Sequence, residues 1–316
     1  MNIPSINDIY DAAERIKNYI HHTPVLTSRL LNKMVNAEIF FKCENFQKVG
    51  AFKFRGATNT VFSLSEYEAN HGVATHSSGN HAAALTLAAK MRKVTAHIVM
   101  PITAPEIKRN AVQDYGAQIT FCEPTLQSRE ETLEKVVEKT GAVFVHPYND
   151  LRVICGQGTA ALELIQKVPD LDIFIAPVGG GGLLSGTAIS VSNLSAHTKV
   201  IGAEPEGADD AYRSLKEGRI IPSVNPKTVA DGLLTSLKEN TFNIIRTYVD
   251  QIITVSDNAT INAMRLIWER MKIIIEPSAA VPFGALLEKK IDFSGKRIGI
   301  ILSGGNVDLK KLPWLM

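Results

Sequence analysis

Two hydrophobic rhythms alternate along this chain: short, nearly continuous apolar runs, and longer stretches with apolar positions three or four apart. The first predicts buried strands and the second amphipathic helices. From residue 72 they predict strand 73–77, helix 80–91, strand 96–100, helix 105–115, strand 119–122, helix 128–140 and strand 142–146. A second series follows: helix 153–167, strand 173–178, helix 183–194, strand 199–203 and a loop-rich stretch over 205–226. It closes with helix 240–249, strand 251–255, helices 258–271 and 277–289, and strand 298–302. Upstream, Ser5 can cap a helix running to about residue 20, with Ile6, Ile9, Ala13, Ile16 and Ile20 on one face. A short helix at 28–35 then leads into strand 38–44. Strands alternating with helices predict βαβ units and parallel sheets. With no low-complexity linker between the two series, the expectation is an α/β protein of two closely packed lobes. Ligands are expected at the carboxyl ends of its strands.

One stretch, 49–57, follows strand 38–44 and opens a helix expected to run to about residue 68. Lys53 stands there between Phe52 and Phe54, approached through Gly50 and Ala51. Apolar neighbours disfavour an ammonium and lower its pKa, so the setting fits a lysine that must lose its proton. A structural lysine at a helix start fits the same residues. Three turns at strand ends tip the balance. Gly179, Gly180, Gly181 and Gly182 lie between a strand and a helix, where converging backbone N–H groups and the helix dipole favour a phosphate. Close packing alone would need fewer glycines. A dinucleotide site would need GxGxxG, which no register through 179–186 provides, although Glu204 ends the next strand where a ribose-binding acid would lie. In Ser77-Ser78-Gly79-Asn80-His81, Ser78 or Asn80 can cap the helix, and the hydroxyls and free N–H groups can also bind a ligand carboxylate. Ser303-Gly304-Gly305-Asn306 ends the last strand.

Composition narrows the partners. A formal charge of +2 with no basic block argues against nucleic acid. Cys43, Cys122 and Cys155 are odd in number, far apart and without a CxxC pair, which predicts a reducing compartment and no zinc site. No apolar run reaches the ~18 residues of a membrane span. The first residues have neither the basic nor the apolar region of a signal peptide, so a cytoplasmic protein is expected.

Nine motifs follow one another in order: GAFKFRGA at 50–57, SSGNH at 77–81, GQGT at 156–159, VGGGGLLSG at 178–186, EPEGADD at 204–210, ADG at 230–232, WERMK at 268–272, IEPSAA at 275–280 and LSGGNVDL at 302–309. On these, over nearly its whole length, the chain resembles the fold-type II pyridoxal-phosphate enzymes of the serine/threonine dehydratase group. It looks most like their serine racemase and threo-3-hydroxyaspartate dehydratase branches. The resemblance implies a tryptophan synthase β-like α/β fold with pyridoxal 5′-phosphate between two parallel-sheet lobes. The large cofactor-binding domain would be 1–68 with 150–316, and the small substrate-closing domain 70–149. Lys53 would carry the cofactor and move the proton at Cα. Phe52 and Gly232 would sandwich the pyridine ring, Asn80 would bond its 3′-oxygen, and Gly179, Gly180, Gly181 and Gly182 would hold the phosphate. Ser303 would face the ring nitrogen. A hydroxyl there makes a weaker electron sink than a carboxylate would, which suits rapid loss of a β-leaving group.

By the same resemblance, Ser78 matches the racemase residue that exchanges protons on the face opposite the lysine, where simple threonine dehydratases have alanine. Ser77, Ser78, Asn80, His81 and Thr235 would line the substrate carboxylate. Arg129 matches an arginine near the substrate in serine racemase and would suit a β-carboxylate. Beside Glu130 and Glu131 it also reads as a solvated helix arginine. Glu204, the carbonyl of Ala208 and Asp210 resemble a divalent-cation site of hard oxygens, suited to Mg²⁺ or to Ca²⁺ or Mn²⁺. Without the resemblance they read as surface acids.

Departures from the pattern also carry information. Ala83 and Val49 stand where serine racemase has glutamine and threonine near its nucleotide site, which weakens a case for ATP although Tyr115, Lys272 and Asn306 match. HPYND at 146–150 departs from the racemase HPNQ toward the dehydratase version. With the chain ending soon after SGGN, the regulatory domain of biosynthetic threonine deaminases is not expected. The expectation is a homodimeric lyase converting L-serine, L-threonine or 3-hydroxyaspartate to a 2-oxo acid and ammonia, with serine racemisation as the alternative. The rivals are a nicotinamide oxidoreductase, which leaves Lys53 without a purpose, and a non-catalytic binding protein, which predicts that Lys53→Ala keeps all function.

Overall fold

The computed structural model describes residues 3–104 and 106–315. Its strands are Val25–Leu26 (β1), Glu38–Cys43 (β2), Val73–His76 (β3), Ala96–Pro101 (β4), Gln118–Cys122 (β5), Val143–Phe144 (β6), Ile173–Pro177 (β7), Lys199–Pro205 (β8), Gln251–Val255 (β9) and Arg297–Leu302 (β10). They form a six-stranded sheet in the order β1-β2-β10-β7-β8-β9 and a four-stranded sheet in the order β5-β4-β3-β6. Every pairing is parallel except that of β1 with β2. The α/β expectation holds. The antiparallel edge strand β1 is too short to show a period of its own.

Both faces of the large sheet are covered, which is why its strands read as unbroken apolar runs. β7 sends Ile173 and Ile175 into one core with Phe283 and Ile267, and Phe174 and Ala176 into another with Leu164 and Leu184. The small sheet packs Val73, Ile98 and Met100 against Phe54, Ala57 and Val61, so the helix Lys53–Ser63 shares its core. Three helices differ from the sequence reading. The first helix, expected to run to about residue 20, is Ile6–Ile16 and stops short of Ile20. The helix expected to run to about residue 68 ends at Ser63, and Ser65 starts a new one, Glu66–His71, through a capping box with Glu68. The loop-rich stretch contains the helix Asp210–Glu217, whose buried face consists of small or polar residues, Asp210, Ala211 and Ser214, and so leaves no apolar period. Residue 105, expected to open a helix, lies outside the described residues; the helix there is described over Glu106–Asp114.

One helix, Leu151–Lys167, ties the Lys53 segment to the glycine-loop helix. A Cβ on Gly156 would stand 2.6 Å from the Cα of Gly56, and one on Gly158 would stand 2.8 Å from the carbonyl oxygen of Gly186. The GQGT motif therefore lets this helix touch the Lys53 helix on one side and the helix Gly182–Leu194 on the other. Among the described residues no helix is long and apolar enough to cross a membrane.

Candidate active site

Lys53 opens its helix just after an antiparallel bridge between Ala51 and Gly304, and the N–H of Phe52 donates to the carbonyl of Ser303 at 2.9 Å. Backbone pairing thus brings Lys53 and Ser303, 250 residues apart in number, onto adjacent segments. The ammonium of Lys53 donates to the carbonyl of Pro147 at 2.8 Å and lies 5.1 Å from the centre of the Phe52 ring. Burial lowers its pKa to about 8, against an opposing pull from the Glu276 carboxylate. The sequence reading of Lys53 as a proton-losing group thus has its physical cause.

The 77–81 turn is built differently from the simplest expectation. Neither Ser78 nor Asn80 caps the helix Asn80–Arg92; its N-cap is Gly79, with no side-chain cap. Ser77 Oγ instead accepts from the N–H of Gly79 at 3.3 Å. The first N–H groups of the helix are left to an outside acceptor, which is what a carboxylate site requires. Ser78 is half-buried and makes no hydrogen bond among the described residues. Asn80 Nδ2 donates to both oxygens of Glu276 at 3.2 Å, while its Oδ1 accepts from Asn306 Nδ2 at 2.9 Å. The buried His81 faces the carbonyl of Val145 through Nε2 at 3.2 Å; a carbonyl only accepts, so Nε2 carries the proton. Its Nδ1 is left buried without a partner. Burial first, and the charge of Lys53 second, push its pKa down to about 3.

Gly181 is the N-cap of the helix Gly182–Leu194 with φ at +86°, a left-handed conformation natural to glycine. The N–H groups of Gly179, Gly180 and Gly181 have no acceptor among the described residues. The side of Gly180 is closed by Tyr148: a Cβ there would stand 2.4 Å from its ring. Thr235, exposed, lies within hydrogen-bond reach of the Tyr148 oxygen, and Gly232 is held by its N–H donating to Ser278 Oγ at 3.0 Å. Burial pushes the Tyr148 phenol up to about 12. The Arg129 guanidinium is half-buried; its Nε is buried without a hydrogen-bond partner, and among the described residues it forms no ion pair. A merely solvated surface arginine does not match that setting.

The proposed metal ligands are not surface acids. Glu204 and Asp210 are both fully buried, and Ala208 is nearly so. Glu204 accepts from the N–H groups of Ala211 and Tyr212 at 2.8 and 2.7 Å, and burial raises its pKa to about 9. Neither carboxylate oxygen of Asp210 has a hydrogen-bond partner of normal geometry, and burial raises its pKa to about 6 despite the nearby Ser223 hydroxyl and Leu237 N–H. Among the described residues no three His, Cys, Asp or Glu side chains cluster to hold a metal. A cation at Asp210 would therefore rely on a carbonyl and water as well as carboxylates.

A family model described as pyridoxal-phosphate dependent enzyme matches residues 16–304. The chain belongs to this family. Beta-hydroxyaspartate dehydratase of Paracoccus denitrificans is 55% identical over 99% of this chain and 100% of its own length. The L-threo-3-hydroxyaspartate ammonia-lyase of Saccharomyces cerevisiae is 47% identical over 100% and 97% of the two chains. The crystal structure of serine racemase from Dictyostelium discoideum superposes with a TM-score of 0.94 at 49% identity, covering 98% of this chain and 100% of that one. The site suits this family's cofactor on its own evidence: an amine of lowered pKa for the aldehyde, and a glycine loop with unclaimed N–H groups for the phosphate.

Several residues escaped the sequence reading. Glu276 faces Lys53 electrostatically, binds Asn80 and accepts the N–H of Asn306 at 3.2 Å. Its motif, IEPSAA, is one of the nine, and a buried acid before Pro277 is the signal that could have singled it out. Tyr148 had its signal in HPYND. Asn306, already named in the sequence reading, donates to Asn80 and to the carbonyl of Val49 at 2.8 Å, which joins it to this site.

Proposed function

We propose that this chain is a dehydratase that removes water from a β-hydroxy α-amino acid, taking 3-hydroxyaspartate in preference to L-serine or L-threonine and releasing a 2-oxo acid and ammonia. Arg129 carries the substrate reading. A partly buried guanidinium with an unpartnered Nε finds its natural counter-charge in a substrate's second carboxylate. The names of the Paracoccus and yeast relatives support the reaction class.

Pyridoxal phosphate, when bound, supplies the electron sink that makes a Cα proton removable. Lys53 moves that proton, its neutral amine favoured from about pH 8 by burial. The open first turn after Gly79, with the hydroxyls of Ser77 and Ser78 and with His81 and Thr235 beside it, orients the α-carboxylate. Gly179, Gly180, Gly181 and Gly182 hold the phosphate, Phe52 and Gly232 bound the ring, Asn80 meets its 3′-oxygen, and Ser303 offers a hydroxyl at its nitrogen. Racemisation of serine is the second reading, favoured by the unpartnered, half-buried hydroxyl of Ser78.

The test supplies L-serine, L-threonine and threo-3-hydroxyaspartate and quantifies 2-oxo acid and inverted enantiomer in one assay. Oxo acid in excess, fastest from 3-hydroxyaspartate, is the expected result; D-serine in excess would make the enzyme a racemase, and neither product would end the reading. Ser78→Ala is expected to cut enantiomer inversion by about a hundredfold, the usual worth of a positioned acid–base group, with a smaller loss of elimination. Equal losses in both would remove Ser78 from two-sided proton transfer.

We also infer that Glu204, the carbonyl of Ala208 and Asp210 bind Mg²⁺, with Ca²⁺ or Mn²⁺ as substitutes; the orphaned oxygens of Asp210 support this. At a hundredfold excess over Kd, Mg²⁺ should stabilise the fold by about 2.7 kcal/mol. Chelation should remove that gain, and Asp210→Asn should not show it. A melting temperature indifferent to Mg²⁺ would rule the site out. The exposed Leu30, Met34, Ile274 and Leu309 support a homodimer. The lobes 1–68 with 150–316 and 70–149 would close on substrate, and a cytoplasmic setting fits the three free buried cysteines.

A further inference from the structure

His76 ends β3 and His146 follows β6, and the two strands are neighbours in the small sheet. The Phe144 ring lies between their imidazoles, with centres 6.0 and 5.6 Å away. Ser77, the next residue after His76, starts the open turn assigned above to the α-carboxylate. The charges of two side chains from different parts of the chain act on this corner. Arg129 comes from the helix Leu126–Thr140 of the small sheet. Lys238 comes from the large-sheet side as the N-cap of the helix Glu239–Tyr248.

The placement of Lys238 is anchored by the residues that follow it. Asn240 donates through its N–H to Asn149 Oδ1 at 3.1 Å and through Nδ2 to the carbonyl of Asn149 at 2.9 Å. Thr241 adds a longer bond from its N–H to Asn149 Oδ1 at 3.4 Å. The stretch 240–241 is therefore clasped to 146–149, the segment whose Pro147 carbonyl holds Lys53. The Lys238 side chain is exposed and has no ion pair among the described residues. Burial pushes the His146 pKa down to about 4, and coupling to His76 and then to Lys238 adds to the effect. Burial likewise lowers His76, with Glu130 opposing and Arg129 and Lys238 assisting. Arg129 and Lys238 thus act on two imidazoles at this corner; the acids that act there are Glu130, which is exposed, and Asp150, which is already paired with Arg152 at 3.0 Å.

We propose that Lys238 is a specificity residue: together with Arg129, and from the large-sheet side, it binds the second carboxylate of a dicarboxylic substrate. This rests on the dehydratase reading and extends it. Serine and threonine bring no second carboxylate to these cations, whereas 3-hydroxyaspartate offers one to both. Arg129 supplies a planar fork, and Lys238 an exposed point charge whose effect is screened by salt.

The test compares the holoenzyme and its Lys238→Ala and Lys238→Arg variants. In Lys238→Ala the ratio of kcat/KM for threo-3-hydroxyaspartate over L-serine should fall by about tenfold, through KM rather than kcat. Lys238→Arg should recover most of it. Rising ionic strength should erode the ratio in the wild type more than in Lys238→Ala, which a merely structural lysine would not produce. Glu130→Gln should tighten dicarboxylate binding. Succinate, which does not react, gives a readout independent of turnover: its affinity should fall in Lys238→Ala. An unchanged ratio with unchanged succinate affinity, or equal losses on both amino acids, would overturn the proposal. If the wild type does not act on 3-hydroxyaspartate at all, the dehydratase preference fails, and succinate binding still decides Lys238.

Discussion

Lys53→Ala is expected to abolish turnover and to release the cofactor, so that the protein emerges from gel filtration without visible absorbance. The reason is chemical. Among the described residues, Lys53 is the amine placed both beside Phe52 and on the segment paired with Ser303, and burial holds it near a pKa of about 8. The lowered value has a second consequence. Only the neutral amine attacks an aldehyde, so capture of pyridoxal phosphate by the apo-protein should slow by about tenfold per pH unit below about 8 and level off above it. Rapid mixing across a pH series measures this. A Lys53→Ala protein that retained a chromophore through dialysis, or that kept all function as a non-catalytic binder would, removes Lys53 from the chemistry.

Arg55→Met is expected to cost the fold about 3–5 kcal/mol, the usual penalty for breaking a buried ion pair from one side. Arg55 is fully buried, two residues beyond Lys53. Its guanidinium grips Glu44 through Nε and Nη2 at 2.7 and 2.9 Å, and Glu163 through Nη1 and Nη2 at 2.7 and 2.9 Å. Lys42, also buried, completes the group on Glu163 and on the carbonyl of Thr23. Two cations and two anions balance, so removal of Arg55 strands charge. Burial opposes ionisation of both Arg55 and Glu163, but their pairing outweighs it, holding the arginine above and the glutamate below its ordinary range. A depressed carboxylate stabilises the fold above its unfolded pKa and loses that contribution as pH falls through the folded one. The wild type should therefore lose more stability on acidification than Arg55→Met does. Urea unfolding of the apo-proteins at neutral and acidic pH checks both statements. A midpoint unmoved by Arg55→Met would show the network to be energetically idle.

This network explains why the Lys53 turn is held so firmly. It joins β2, the Lys53 helix and the helix Leu151–Lys167 by charge, where Gly56 and Gly156 join the two helices by contact. Positioning and chemistry are thereby separated: Lys53 can lose its proton in an apolar setting while a residue two places away keeps its charge in a paired one.

Much of this was legible in the residues themselves. Period and run length located nearly every strand and helix, because sheets covered on both faces make unbroken apolar runs and helices carry a stripe. Lys53 showed in its aromatic flanks, and Gly179, Gly180, Gly181 and Gly182 showed in their number. Local chemistry suffices for such features, since neighbours in sequence create them. The capping of the 77–81 turn was open in the sequence, and only the folded backbone placed Gly79 at the cap and left the first N–H groups free. Whether Arg129 was a solvated helix residue was also open, until burial removed the partners of its Nε. Glu204 and Asp210 read as surface acids until the structure buried them. Glu276 binding Asn80 and acting on the charge of Lys53, Tyr148 against Gly180, Arg55 between Glu44 and Glu163, and Lys238 acting on His146 had to wait for tertiary structure. Each joins segments distant in sequence, and the energy of a charge or a polar group depends on what surrounds it in space, which periodicity along the chain does not encode.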